Sequence, residues 1–335
     1  MFIHIDLDCY FVSAHRTLDK SLHNIPVAVG GKSNVDIFSH TRVKRTMATN
    51  RASFSSKILD SEDENSSNDY FVDENNKIRG IITSASYEAR AFGVKTAMSV
   101  NEALKLCPNL KMIPPKYNLY DELSSKLKEL LELEIPLIEQ FSIDEFFGDL
   151  TGYIKEDEAE DFARKLKDKI FKELNLPCSI GLANTKYLSK LMTNEAKPNN
   201  IKLLKKENIE EFTKNILIEN FTGIGKSLCE KLSGYNIKTL GDIRKNKNLF
   251  YSFGKVGIDT YNRVCGIKDS KLNITKEKKS IGIGRSFDVV FKTSRSLLKS
   301  FDYSAVKSYS SYINRKSFVY RKRIYFFKIF LLNFS

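Results

Sequence analysis

The chain has 335 residues, enough for two or more compact domains, and its 54 Lys and Arg against 41 Asp and Glu leave a formal charge of +13. That excess favours a polyanionic partner and says nothing about fold. The five cysteines form no C-x-x-C pair and the four histidines show no metal-ligand spacing, which argues against a disulfide framework or a zinc site and suits reduced thiols in a cytoplasmic setting.

The opening stretch, FIHIDLD, alternates apolar and polar residues and is expected to be a first strand. It carries acids where a signal peptide would carry a basic start, so none is expected. HNIPVAVGG gives a second short strand closed by Gly30 and Gly31. From about residue 32 to 76 the composition turns to Ser, Asn, Asp and Lys, read as a long polar insertion without local structure. Order is expected to return with IRGIITSASYEARAFGV. Leu119, Leu123, Leu127 and Leu130 then fall on one helical face, as do Phe162, Leu166, Ile170 and Leu174 further on. The most apolar run, Ile324 to Leu332, is short and broken by Lys328, so no membrane span is expected.

Between the two amphipathic helices lies EQFSIDEFFGDL, which reads as apolar strand on both sides of Asp144 and Glu145. An ionised carboxylate buried without a partner costs several kcal/mol or more, so these acids imply a cation. The second helix separates that strand from PCSIGLA, a β-α-β unit whose pairing, parallel or antiparallel, is left open. If the first strand pairs beside the Asp144 strand, Asp6 joins Asp144 and Glu145 at one sheet edge. Three carboxylates in one small volume raise one another's pKa unless a cation neutralises them, and hard oxygen ligands suit Mg²⁺. The plainer alternative is that Asp6 and Asp144 are surface acids on edge strands.

Five stretches in order resemble the motif set of the Y-family translesion DNA polymerases of the DNA polymerase IV type (UmuC/ImpB/MucB-like): DLDCYFVS, SYEARAFGVKTAMS, SIDEFFGDL, CSIGLANTKYLSKLMTNEAKPNN and FTGIGKSLCEKL. The resemblance spans residues 1 to about 290. It implies an α+β, right-hand polymerase with a ferredoxin-like palm (1–10 and 116–193), fingers (11–115, with the insertion at about 32–76), a helical thumb with a helix-hairpin-helix (194–265), a linker (266–279) and a shortened little finger (280–335).

The same resemblance assigns residues. Asp6, Asp144 and Glu145 become the catalytic acids holding two Mg²⁺, with the Leu7 carbonyl as a further ligand. Asp8 is expected to be structural. Tyr87 and Arg90 match residues that hold the incoming triphosphate, and Lys186 matches a phosphate-contacting lysine; a guanidinium forks onto phosphate oxygens and a lysine adds a point charge. Phe11 is the aromatic expected beneath the incoming sugar, and Tyr10, beside it in the nucleotide-binding set, is expected to turn toward the core. Gly223 and Gly225, followed by Lys226, are expected to receive a DNA phosphate on backbone N–H groups at a helix start.

Implied partners are primer-template DNA and deoxynucleoside triphosphates, with the chain acting as a monomer away from membranes. A sliding clamp would complete the set, although no clamp-binding peptide is visible. Low-fidelity, damage-tolerant synthesis follows from the resemblance. The chain departs from the pattern in the long insertion, in Ala91 where a basic residue is common, and in the brevity of the last domain. Two rivals remain: a nucleotidyl cyclase with a similar palm, and a truncated relative that binds DNA but extends it weakly.

Overall fold

The computed structural model describes residues 1–31, 69–72, 76–267 and 272–274. The expectations for the little finger and for most of the insertion lie outside these residues.

The chain opens with β1 (Phe2–Leu7), followed by helix α1 (Tyr10–Leu18) and β2 (Val27–Gly31). After the insertion come β3 (Ile81–Ala85), α2 (Tyr87–Ala91), α3 (Val100–Leu106) and β4 (Lys111–Ile113). These strands form a three-stranded sheet in the order β3-β2-β4. One part of the insertion is folded: a short 3₁₀ turn at Asp69–Phe71 places the Phe71 ring in the core of this small sheet, 3 % exposed, among Ile82, Val100 and Met112. A single aromatic inside a polar stretch gave no periodic signal, which is why the sequence reading ran the insertion on to residue 76.

Helix α4 (Tyr117–Glu134) leads to a hairpin of β5 (Leu137–Gln140) and β6 (Glu145–Asp149). Then follow α5 (Ala159–Leu174), β7 (Cys178–Ala183), α6 (Lys186–Ala196) and β8 (Ile201–Leu203). The larger sheet runs β5-β6-β1-β7-β8. Its middle strand, β1, is antiparallel to both neighbours, with Ile5 opposite Phe146 and Asp6 opposite Glu145 on one side and Asp6 opposite Ser179 on the other. This settles the pairing that sequence left open, and it does so with the first strand.

The period-2 alternation of β1 sorts its side chains. Ile3, Ile5 and Leu7 enter a core with Leu127, Leu131, Leu166 and Ile170 of the amphipathic helices α4 and α5. His4 and Asp6 take the opposite face, where His4 Nδ1 meets Thr193 Oγ1 of α6 at 2.9 Å. Helix α6 comes unusually near this face because Gly181 lies beneath it; a Cβ there would sit 2.1 Å from the Ser189 carbonyl. The acidic face of β1 is thereby roofed by a lysine-bearing helix.

From β8 to residue 267 the chain is helical, with α7 (Ile209–Thr213), α8 (Lys226–Ser233), α9 (Leu240–Lys245), α10 (Lys247–Ser252) and α11 (Gly254–Cys265) around a separate core of Phe221, Leu232, Leu240, Ile243 and Phe250. Helix α9 starts with a full capping box, Thr239 and Asp242 each bonding the other's backbone N–H. Among the described residues no helix is long and apolar enough to cross a membrane.

Candidate active site

EQFSIDEFFGDL is a hairpin and not one strand. Phe141 and Ser142 both donate from backbone N–H to the Glu145 carbonyl, so the chain reverses there and Asp144 stands in the bend just before β6. The apolar residues on both sides of the bend made the two strands look continuous. A backbone bond of 3.1 Å from Leu7 N–H to the Asp144 carbonyl ties the bend to the end of β1. Residues directly opposite in an antiparallel pair project from the same face. Asp6 and Glu145 therefore share the face under α6, with Asp144 at its edge.

Each acid already has a partner. Lys197 Nζ lies 2.6 Å from Asp6 Oδ1, Lys190 Nζ lies 2.5 Å from Glu145 Oε2, and the Ser142 hydroxyl donates to Asp144 Oδ1 at 2.5 Å. Burial pushes the Asp6 carboxyl up to about 7, with Asp144 and Glu145 adding repulsion and Lys197 opposing it. Burial raises Asp144 as well, with Ser142 opposing and Glu145 adding. On the same face, burial holds the His4 ring well below its ordinary value, aided by Lys190, Lys197 and Lys186.

Among the described residues no three His, Cys, Asp or Glu side chains already converge as metal ligands. The donor set nevertheless fits a hard divalent cation: its oxygens are carboxylates, two of them are held against ionisation by burial and mutual repulsion, and two ammonium groups stand where positive charge is called for.

Lys186 pairs with an acid outside these three. Its Nζ is buried, 2.6 Å from Glu139 Oε2, and lies over the Phe147 ring at 4.7 Å. The lysines that reach the acids are Lys190, one helical turn on, and Lys197, just past the helix. The i, i+4 spacing of Lys186 and Lys190 announces a shared face but cannot say which of the two finds Glu145.

Asp8 is a structural hub, as the resemblance implies. It is 2 % exposed and accepts bonds from the Tyr87 hydroxyl, the Ser179 hydroxyl and the Asn199 backbone N–H. Tyr87 is thereby fixed beside the corner, and the exposed Arg90 guanidinium sits 4.9 Å from its ring centre while Nε holds the Ala85 carbonyl. Tyr10 turns into the core, donating to the Tyr120 carbonyl. Phe11 is half-buried, packed against the cores of both sheets.

In the helical part, Gly223 has φ of 100°, a conformation that strains any side chain, and Gly225 caps α8 without a side-chain bond. A Cβ at Gly225 would meet nothing within 4 Å. The turn opens onto a groove of about 640 Å³ lined by Lys226, Ser227, Lys231, Phe253 and Thr260.

The sequence profile of the impB/mucB/samB family matches residues 5–194, which contain every residue of the acidic corner except Lys197. The chain belongs to this family of Y-family DNA polymerases. Among relatives, the DNA polymerase IV of Enterobacter sp. (strain 638) is 30% identical over 287 residues, 85% of this chain and 69% of that protein. That of Shewanella sp. (strain W3-18-1) is 31% identical over 84% of this chain and 67% of its own. Family folds agree: an insertion ternary complex of Dbh DNA polymerase superposes with a TM-score of 0.63 at 22% identity, over 81% of this chain and 69% of that one. DinB from Sulfolobus solfataricus gives 0.61 at 22% over 82% and 69%.

Proposed function

We propose that this DNA polymerase adds deoxynucleotides to a primer 3′ end under the direction of a template, by a two-metal mechanism, with low fidelity and in the bypass of damaged templates. The observation that carries the reading is the β1–β6 register, which sets Asp6 directly opposite Glu145 with Asp144 at the adjoining bend.

Asp6, Asp144 and Glu145 would hold two Mg²⁺, with the Leu7 carbonyl beside them. The chemistry these ions supply when bound is a lowered pKa for the primer hydroxyl and neutralisation of the leaving pyrophosphate. The protein's own groups do the rest. Asp6 must lose its proton and exchange Lys197, and Glu145 must exchange Lys190, before either can serve a metal. Lys197 and Lys190, once released, remain at the same corner as point charges for the triphosphate, a role the sequence reading had given to Lys186. Arg90, carried on Tyr87 and Asp8, supplies a planar donor for phosphate oxygens. Phe11 would lie beneath the sugar. The Gly223–Gly225 turn and Lys226 would hold the duplex backbone without reading sequence.

Primer extension by the purified chain on undamaged and abasic templates tests the reading. Extension on both that stops on chelation of divalent ions is expected; no template-dependent extension with saturating Mg²⁺ would overturn it.

A further inference from the structure

Phe11 and His15 are four residues apart on α1, so they present one face of the helix. Tyr120 of α4, fully buried, lies against both. The Phe11 and Tyr120 rings stack with centres 4.3 Å apart and planes at 17°, while His15 meets Tyr120 edge-on at 72°. His15 Nε2 and the Tyr120 hydroxyl share a hydrogen bond of 2.8 Å. The Tyr120 backbone carbonyl accepts from the Tyr10 hydroxyl. Tyr120 is thus held at both ends, main chain by Tyr10 and phenol by His15.

A half-buried phenylalanine on a helix can exchange rotamers unless something covers it. Here the cover is a ring that cannot rotate without breaking its bond to His15. Burial and nearby Lys116 lower the His15 pKa to about 4, so the imidazole is neutral at working pH and bonds the phenol without introducing charge.

We infer that His15 is a positioning residue for sugar discrimination: by pinning the Tyr120 hydroxyl it keeps the Tyr120 ring flat against Phe11, and so keeps Phe11 in the rotamer that denies space to a 2′-hydroxyl. The inference rests on the reading of Phe11 as the ring beneath the incoming sugar. Neither His15 nor Tyr120 touches substrate in this scheme.

The test compares kcat/KM for deoxynucleoside and ribonucleoside triphosphates across His15→Ala, His15→Gln, Tyr120→Phe, the double variant His15→Ala/Tyr120→Phe, and Phe11→Ala. Tyr120→Phe removes one oxygen and keeps the stack, so folding is preserved. His15→Ala and Tyr120→Phe should each relax discrimination by about tenfold, the scale of one aromatic packing contact, through a gain on ribonucleotides. The double variant should relax it no further than either single change, because both remove the same bond. His15→Gln, which can still bond the phenol, should stay within about threefold of the parent.

Equal losses on both substrates in His15→Ala and Tyr120→Phe would mark the bond as structural and overturn the inference. If Phe11→Ala relaxes discrimination while these two variants leave it unchanged, the reading of Phe11 stands and the role of His15 falls. If Phe11→Ala itself leaves discrimination unchanged, the reading of Phe11 falls and takes the inference with it.

Discussion

The acidic corner and the glycine turn of α8 both present groups suited to phosphates, yet they are built in opposite ways. At the corner each acid is placed by something else: strand register sets Asp6 against Glu145, a hairpin bend sets Asp144, and Lys190, Lys197 and Ser142 hold the three carboxylates. At the turn nothing crowds Gly225, and the positive groups nearby are the exposed Lys226 and Lys231, with Arg263 Nη1 3.3 Å from where a Cβ at Gly223 would sit. Chemistry at phosphorus needs reacting atoms held to fractions of an ångström, which a buried, over-determined corner provides. A grip that must slide along any sequence needs only backbone donors and screened charge, which an open turn provides. Changes at the corner should therefore alter rate and selectivity with affinity for DNA intact, and changes at the turn should do the reverse.

The largest selective effect is expected at Phe11. Phe11→Ala should raise ribonucleotide incorporation by orders of magnitude while deoxynucleotide incorporation falls modestly, since removing the ring opens volume for the 2′-hydroxyl; steady-state kinetics with both substrates, alongside DNA titrations, would show whether affinity stays put. Parallel loss on both substrates would make Phe11 a packing residue and blur the contrast with the turn.

The corner should also answer to pH in a way the turn does not. The folded chain without metal holds a proton on Asp6 that the unfolded chain releases, because the carboxyl rises from 3.8 to about 7. Asp6 therefore contributes stability below 3.8 that is lost as pH rises to about 7. Denaturant melts of metal-free protein across that range, repeated with Asp6→Asn, would check it; an unchanged pH slope in the variant would contradict the assignment.

The smallest effect belongs to the turn. Lys226→Ala should weaken DNA binding by about two- to fivefold, reduce the salt dependence of log K by about one unit, and leave the extension rate at saturating DNA unchanged. A fall in that rate would mean that the turn positions the primer end and does more than grip.

Much of the corner was legible because its logic is local: alternation in FIHIDL assigns Asp6 to a face opposite Ile3 and Ile5, and pairing of that strand beside Glu145 brings the acids to one sheet edge. The identity of the companion lysines was not, since Lys186 and Lys190 differ only in what the fold brings to them, Glu139 for one and Glu145 for the other. The hairpin was missed because Phe141 and Ile143 keep the bend as apolar as the strands it joins. A structural role for Asp8 follows from the resemblance, but its three donors come from residues 87, 179 and 199, which no local pattern links.

The most direct measurement of the central claim is Asp144→Ala assayed in parallel for single-turnover primer extension and for binding of primer-template DNA. The account predicts that extension falls by more than roughly 10³-fold while affinity for DNA stays within about threefold of the parent, because the corner performs the chemistry and phosphate contacts elsewhere supply the grip. Extension persisting at anything near the parent rate would contradict it.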